Sequence, residues 1–173
     1  MKTNQRGAIS LEMMIAVGLI IVLFGWAVSR SDMMQSRAGT LIGASNVVTL
    51  GENVRGLLKT GSGYGASGTS LVADLIASKG VPKNITISGS TIINDYNGTM
   101  TIASTGAGFT ITDPNLPSDI CIQEATKVSK TATFTTTAVN GNAAITGEVP
   151  RATATTQCNQ AGNANSITFA SAS

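Results

Sequence analysis

The sequence predicts an α+β domain in which one long N-terminal helix packs against an antiparallel sheet that ends in a disulfide-bounded region. Three observations carry this prediction. The first proline of the 173-residue chain is Pro82, so no proline before it forces a helix to stop. After Pro82, short β-type runs alternate with turn residues. The chain has two cysteines, Cys121 and Cys158, and both lie in its C-terminal third.

Composition excludes several classes of protein. The chain has no histidine, so it lacks the commonest general base and the commonest metal ligand, and Ser-His-Asp, Cys-His and zinc–histidine sites are excluded. Its 11 Lys and Arg residues against 9 Asp and Glu residues form no basic cluster that would neutralise a phosphate backbone. We therefore expect no enzymatic activity, no cofactor, no metal site and no nucleic-acid partner.

The N-terminus contains a membrane-spanning pattern. Residues 1–7 are polar and basic, whereas residues 8–28 are apolar apart from Ser10 and Glu12. As a helix, this run spans roughly 30 Å, which is the thickness of the hydrocarbon core of a bilayer. Two simple alternatives are a secretory signal peptide, which would leave a mature N-terminus near Arg30, and an uncleaved signal anchor.

Glu12 distinguishes these interpretations. A carboxylate in an apolar membrane helix costs about 3 kcal/mol near the helix centre, and neither alternative supplies a partner for it. Cleavage after Gly7 would create an α-ammonium group at Ala8, one helical turn before Glu12, where the two charges can pair within a chain or between staggered neighbours. The pattern therefore favours processing after Gly7.

These residues resemble the type IV prepilin signature. The signature has a short basic leader ending in glycine, here Gly7, a neutral first mature residue, here Ala8, and a glutamate at the fifth mature position, here Glu12. The resemblance implies that a prepilin peptidase cleaves after Gly7 and methylates the amino group of Ala8, and that Glu12 docks each subunit into a filament. Alanine in place of phenylalanine at the first mature position, and an apolar helix without proline, resemble the type IVb pilins.

Helical periodicity continues beyond the apolar run. Apolar residues recur at spacings of three and four up to Leu58, with polar residues on the other face, which predicts a helix from Ile9 to about Lys59. Such a helix is roughly 75 Å long, so half of it must protrude from the domain. The predicted organisation is a leader at 1–7, a transmembrane and filament-core half-helix at 8–29, an amphipathic half-helix at 30–59 and a globular head at 60–173.

Two short helices are predicted in the head. A Gly/Ser-rich segment from Thr60 ends the long helix and is expected to be a linker. Thr69 or Ser70 is expected to cap the first short helix, whose buried face is formed by Leu71, Val72, Leu75 and Ile76. The second short helix follows Ser118, with Asp119 in its first turn and Lys127 and Lys130 near its end.

Turn residues separate the predicted strands. The dipeptides Asn97-Gly98 and Asn140-Gly141 are the hairpin signals. The predicted strands are residues 85–87, 91–95, 99–103, 109–112, 132–139 and 166–170.

The cysteines favour a structural disulfide over free thiols. Neither Cys121 nor Cys158 lies in a CxxC pair or beside a cation that would lower the pKa of its thiol. A Cys121–Cys158 bridge would place the head outside the cytoplasm. Resemblance to the pilin fold implies the same pairing, with the bounded segment on the exterior of the filament.

Four acidic residues of the head are candidates for a carboxylate site. Asp113, Asp119, Glu124 and Glu148 have no spacing that brings two of them together, and we expect all four on the solvated surface. No catalytic residue is predicted.

The resemblance implies a structural role. The expected function is that of a major subunit of a type IVb-like pilus used in adhesion, aggregation or conjugative mating contact. Its expected partners are copies of itself, the prepilin peptidase, the inner membrane before assembly and the pilus assembly machinery, and its final location is the extracellular pilus. The alternatives are a minor pilin and a pseudopilin of a type II secretion system.

Overall fold

The computed structural model describes residues 42–172. The predicted leader, the apolar half-helix and the residues Gly7, Ala8 and Glu12 lie outside the described residues, and the statements about them remain predictions. Residues Thr40–Ser173 form one compact unit.

The first helix, α1, is described from residue 42 and ends at residue 58, next to the predicted end at Lys59. Val47, Leu50 and Val54 are almost completely buried, at the three- and four-residue spacings of one helical face. Leu57 departs from the predicted stripe because it is 51% exposed. Arg55 ties α1 to the rest of the head, since its Nη2 donates to the Thr133 carbonyl at 2.6 Å and to Ser171 Oγ at 2.9 Å.

Seven antiparallel strands form the sheet in the order β1-β2-β3-β4-β7-β5-β6. Six of them coincide with predicted runs, which confirms the antiparallel α+β class. The strands are β1 (Thr86–Ser88), β2 (Thr91–Ile93), β3 (Thr99–Ser104), β4 (Phe109–Leu116), β5 (Thr136–Val139), β6 (Ile145–Thr146) and β7 (Asn165–Ser171).

Two strands differ from their predicted bounds by four residues, and the other four by only one or two. β4 is longer than predicted and contains Pro114, which a sheet tolerates because the register shifts between Asp113 and Leu116. β5 begins at Thr136 rather than at residue 132.

Three further helices pack on the head: α2 (Val72–Ala77), α3 (Ser118–Val128) and α4 (Arg151–Gln157). Asp119 and Lys127 lie in the first and last turns of α3, as predicted, whereas Lys130 lies beyond its end. α4 was not predicted, because its sequence RATATTQ contains three threonines, which are poor helix formers.

The predicted cap of α2 is confirmed in part, because Ser70 is not the N-cap residue but its Oγ accepts from Val72 N at 3.5 Å. The N-cap is Leu71, and it has no side-chain cap hydrogen bond. The backbone before α2 pairs with β3 instead, since the Thr69 carbonyl accepts from Ser104 N at 2.9 Å and Leu71 N donates to the Ile102 carbonyl at 2.8 Å. This pairing fixes the start of the helix, together with the long hydrogen bond from Val72 N to Ser70 Oγ.

Aromatic rings join α1 to the centre of the sheet. Phe109 lies 5.2 Å from Tyr64 and 6.3 Å from Phe134, and Phe134 lies 5.3 Å from Phe169, between ring centroids. A Cβ on Gly51 of α1 would lie 2.6 Å from Phe134 Cζ, so the helix approaches this ring closely.

The Gly/Ser-rich segment is more than a linker. Tyr64 within it is 4% exposed, and its N–H donates to the Gly106 carbonyl at 2.9 Å. The segment is therefore docked on the turn between β3 and β4.

Candidate functional site

A disulfide bounds the C-terminal part of the head. Cys121 lies on α3, Cys158 is the C-cap residue of α4, and their Cα atoms are 5.9 Å apart. The bridge confirms the predicted pairing and spans 37 positions of sequence. Both cysteines are buried. We call residues 118–165, which run from α3 to the start of β7, the stapled region.

A buried asparagine organises the loops of the stapled region. Asn165 is fully buried, and its Nδ2 donates to the Leu116 carbonyl at 3.0 Å. Its Oδ1 accepts from Gln160 N at 3.1 Å and from Asn140 Nδ2 at 2.9 Å. Asn165 therefore connects the end of β4, the loop after the disulfide and the Asn140-Gly141 turn.

The Asn140-Gly141 turn belongs to the same network. Asn140 has a φ of 51°, which is the left-handed conformation expected at such a turn. Its Nδ2 also donates to the Gln157 carbonyl at 2.7 Å, and its Oδ1 accepts from Ser166 N at 2.8 Å. The dipeptide predicted the turn, but the long-range role of its side chain was not visible in the sequence.

The outer surface of the stapled region consists mainly of small uncharged residues. Residues 141–144, 155–156 and 159–164 are exposed and contain only Gly, Ala, Asn, Gln and Thr. Glu148 and Arg151 are its exposed charged residues near α4. Such a surface can make van der Waals contacts and hydrogen bonds, but it presents no nucleophile–base pair.

Asn94 organises the hairpin formed by β2 and β3 in the way that Asn165 organises the loops of the stapled region. We call residues 86–104 the hairpin region. Asn94 Nδ2 donates to the Pro114 carbonyl at 2.6 Å and to Asp113 Oδ1 at 2.5 Å. Its Oδ1 accepts from Tyr96 N at 3.0 Å and Gly98 N at 2.6 Å. Asn94 thereby holds the Asn97-Gly98 turn against β4.

The expectation that all four acidic residues are solvated is wrong for two of them. Asp119 and Glu148 are exposed, but Asp113 is 4% and Glu124 1% exposed, and both residues line one small cavity. Asp113 follows Phe109 and Ile111 on the inward face of β4. Glu124 lies four residues from both Ile120 and Val128 on the buried face of α3. That helical spacing is the signal that would have identified Glu124.

Burial sets the protonation of this pair. It raises the pKa of Asp113 to about 6, and the hydrogen bonds from Asn94 and Glu124 oppose the rise. It also raises the pKa of Glu124 well above its ordinary value, and the charge and hydrogen bond of Asp113 raise it further. The contact between the two groups therefore favours the proton on Glu124 over the proton on Asp113.

The described residues contain neither a metal-ligand cluster nor a membrane-spanning helix. Within residues 42–172, no three Asp, Glu, Cys or His side chains come together as a set of metal ligands. The helices of this part of the chain include none that is both long enough and apolar enough to cross a bilayer.

A helix packed on an antiparallel sheet, with a disulfide-bounded region that has a polar surface, defines a head of the pilin class. A family model described as PilS N terminal matches residues 37–172, and the chain belongs to this family. The family implies a pilin subunit of an extracellular pilus polymer.

Two solved structures resemble the chain. The crystal structure of a type IVb pilin from Salmonella typhi is 25% identical, with a TM-score of 0.64 over 74% of this chain and 96% of that one. An NMR structure of the type IVb pilin PilS from Salmonella typhi is 24% identical, with a TM-score of 0.49 over 73% of this chain and 91% of that one. No curated protein sequence matches the chain significantly.

Proposed function

We propose that the chain is made as an inner-membrane prepilin, cleaved after Gly7 by a prepilin peptidase, and polymerised through its N-terminal helix as the major subunit of a type IVb pilus. The observation that carries the proposal is that a head of the PilS N-terminal family follows an apolar segment with a single carboxylate, Glu12. The assembled fibre then serves adhesion, aggregation or mating contact, and the subunit itself catalyses no reaction.

Cleavage and methylation are tested by mass spectrometry of the mature N-terminus. The expected mature chain begins with an N-methylated Ala8. A mature chain that begins near Arg30, or that retains its first seven residues in normal fibres, would contradict the proposal.

Polymerisation is tested by Glu12→Val, with Glu52→Val as the matched control. Glu52 is exposed on α1 and makes no side-chain hydrogen bond within the described part of the chain. Glu12→Val removes the partner of the new amino terminus, so we expect the subunit to stay in the membrane and the sheared fibre fraction to fall at least tenfold. Glu52→Val should leave fibre yield unchanged. Equal fibre yields from the two variants would argue against docking through Glu12.

Deleting the gene distinguishes the pilus from a secretion role. Loss of surface fibres with normal protein secretion supports the pilus, whereas loss of secretion with normal fibres supports a pseudopilin.

A further inference from the structure

Asp113 and Glu124 reach the same small cavity from different elements. The cavity has a volume of about 20 Å³, which is enough for about one water molecule, and its lining includes Gly43 and Asn46 of α1. Glu124 Oε2 would lie 3.8 Å from a Cβ on Gly43. The two carboxyl groups therefore lie where β4, α3 and α1 converge.

The polar partners of the pair are too few for two negative charges. Asn94 donates to Asp113, but Glu124 Oε1 has no hydrogen-bond partner within the described part of the chain. No lysine or arginine of that part lines the cavity. Two unpaired carboxylates side by side in a buried site are strongly unfavourable.

The titratable groups that face the site are not cationic. From the hairpin region, Asp95 and Tyr96 line the cavity, and the charge of Asp95 acts on Asp113. From α3, the charge of Asp119 acts on Tyr96. The residues of α1 and β3 that line the cavity, which are Gly43, Asn46, Val47 and Met100, do not titrate. The neighbours therefore oppose a second negative charge.

We propose that Asp113 and Glu124 form a proton-binding site in which one shared proton holds β4 and α3 together beneath α1, so that its release at higher pH loosens the head. In the closed state, protonated Glu124 donates to the Asp113 carboxylate. On opening, the proton passes to solvent and leaves two carboxylates. The proposal does not depend on the proposed function.

The raised pKa values of Asp113 and Glu124 determine whether the head becomes more or less stable as pH rises. Both groups have a higher pKa in the folded state than the ordinary carboxyl value of about 4, so above that pH the folded state binds more protons than the unfolded state. Stability is therefore greatest at acid pH and falls as pH rises through about 6 and above. The equilibrium constant for unfolding rises by up to tenfold per pH unit for each proton that the folded state retains.

The test is urea unfolding of the full chain in detergent micelles at pH 5, 6, 7 and 8. We expect the unfolding constant of the wild type to rise at least tenfold more from pH 5 to 8 than that of Glu124→Gln, in which the amide donates to Asp113 without titrating. Glu148→Gln removes an exposed carboxyl and should keep the wild-type slope. Equal slopes in the wild type and Glu124→Gln would overturn the proposal.

Infrared spectroscopy keeps the proposal testable if Glu124→Gln does not fold. The folded wild type should show the stretching band of a protonated carboxyl group at pH 6, and the band should fade as pH rises. Absence of the band at pH 6 overturns the proposal. Stabilisation by calcium chloride at pH 8 with no pH slope also overturns it, because the cavity would then bind a cation instead of a proton.

Discussion

The hairpin region and the stapled region each contain an asparagine that holds irregular backbone, but only the stapled region has a covalent bridge. Asn94 organises a turn whose residues all lie within four positions of it, and its long-range partners are both on β4. Asn165 joins segments separated by up to 49 positions. Ordering these longer segments costs more entropy, and a disulfide offsets part of that cost by restricting the unfolded chain.

The largest expected effect comes from removing the bridge. The double variant Cys121→Ala, Cys158→Ala should lose about 4 kcal/mol of unfolding free energy, because its unfolded state regains the entropy of the open loop. Urea unfolding measures the loss, and hydrogen exchange locates it. Protection should fall most in the stapled region. An equal fall in the hairpin region would mean that the two regions open together and would remove the contrast between them.

The next largest losses of unfolding free energy should come from replacing Asn165 and Asn94. Asn165→Ala leaves the buried Leu116 carbonyl and Gln160 N without their partner, and we expect a loss of about 2–3 kcal/mol in urea unfolding. Asn94→Ala should cost about 1–3 kcal/mol for the same reason, with less burial around the side chain.

Asn163→Ala is the control for both variants. Asn163 is exposed and makes no side-chain hydrogen bond within the described part of the chain. Asn163→Ala should therefore lower the unfolding free energy by less than about 0.5 kcal/mol. If Asn165→Ala also lowered the unfolding free energy by less than about 0.5 kcal/mol, the disulfide alone would stabilise the stapled region.

The two Asn-Gly turns allow a finer comparison. Both asparagines have positive φ, 59° at Asn97 and 51° at Asn140, so glycine fits the backbone at either position. Asn140→Gly removes three side-chain hydrogen bonds and should cost about 1–2 kcal/mol. Asn97→Gly removes no side-chain hydrogen bond and should change stability by less than about 0.5 kcal/mol in thermal unfolding. Equal costs would contradict the assigned role of Asn140.

The smallest expected effect is a difference in pH dependence. Burial raises the pKa of Asp113 to about 6, and the Asn94 hydrogen bond restrains that rise, so Asn94→Ala should raise it further. The added shift lowers stability only above the ordinary carboxyl pKa of about 4. The loss caused by Asn94→Ala should therefore be greater at pH 8 than at pH 5, whereas that of Asn165→Ala should be equal at both. Urea unfolding at the two pH values decides this.

Local signals were sufficient to predict most of the fold. The Asn97-Gly98 and Asn140-Gly141 turns marked the strand ends, the spacing of Val47, Leu50 and Val54 marked the buried face of α1, and the cysteines paired as expected. α4 was not predicted because its three threonines are poor helix formers, and β6 because a run of two residues is too short to be recognised as a strand.

The carboxyl pair could not be predicted for a different reason. Asp113 and Glu124 belong to a strand and a helix joined by a connection at Pro117, and no sequence period relates one element to the other. The helical spacing of Glu124 with Ile120 and Val128 predicts burial, but only the packing of α3 on the sheet reveals its partner.

The position of β7 has a consequence for the timing of folding. β7 follows the other six strands of the sheet along the chain, yet it lies between β4 and β5 and pairs with both. Until residues 165–171 emerge, the nascent chain can form only two separate β-pieces, each with an unprotected edge. Completion of the sheet therefore waits for residues 165–171 and follows the synthesis of all its other strands.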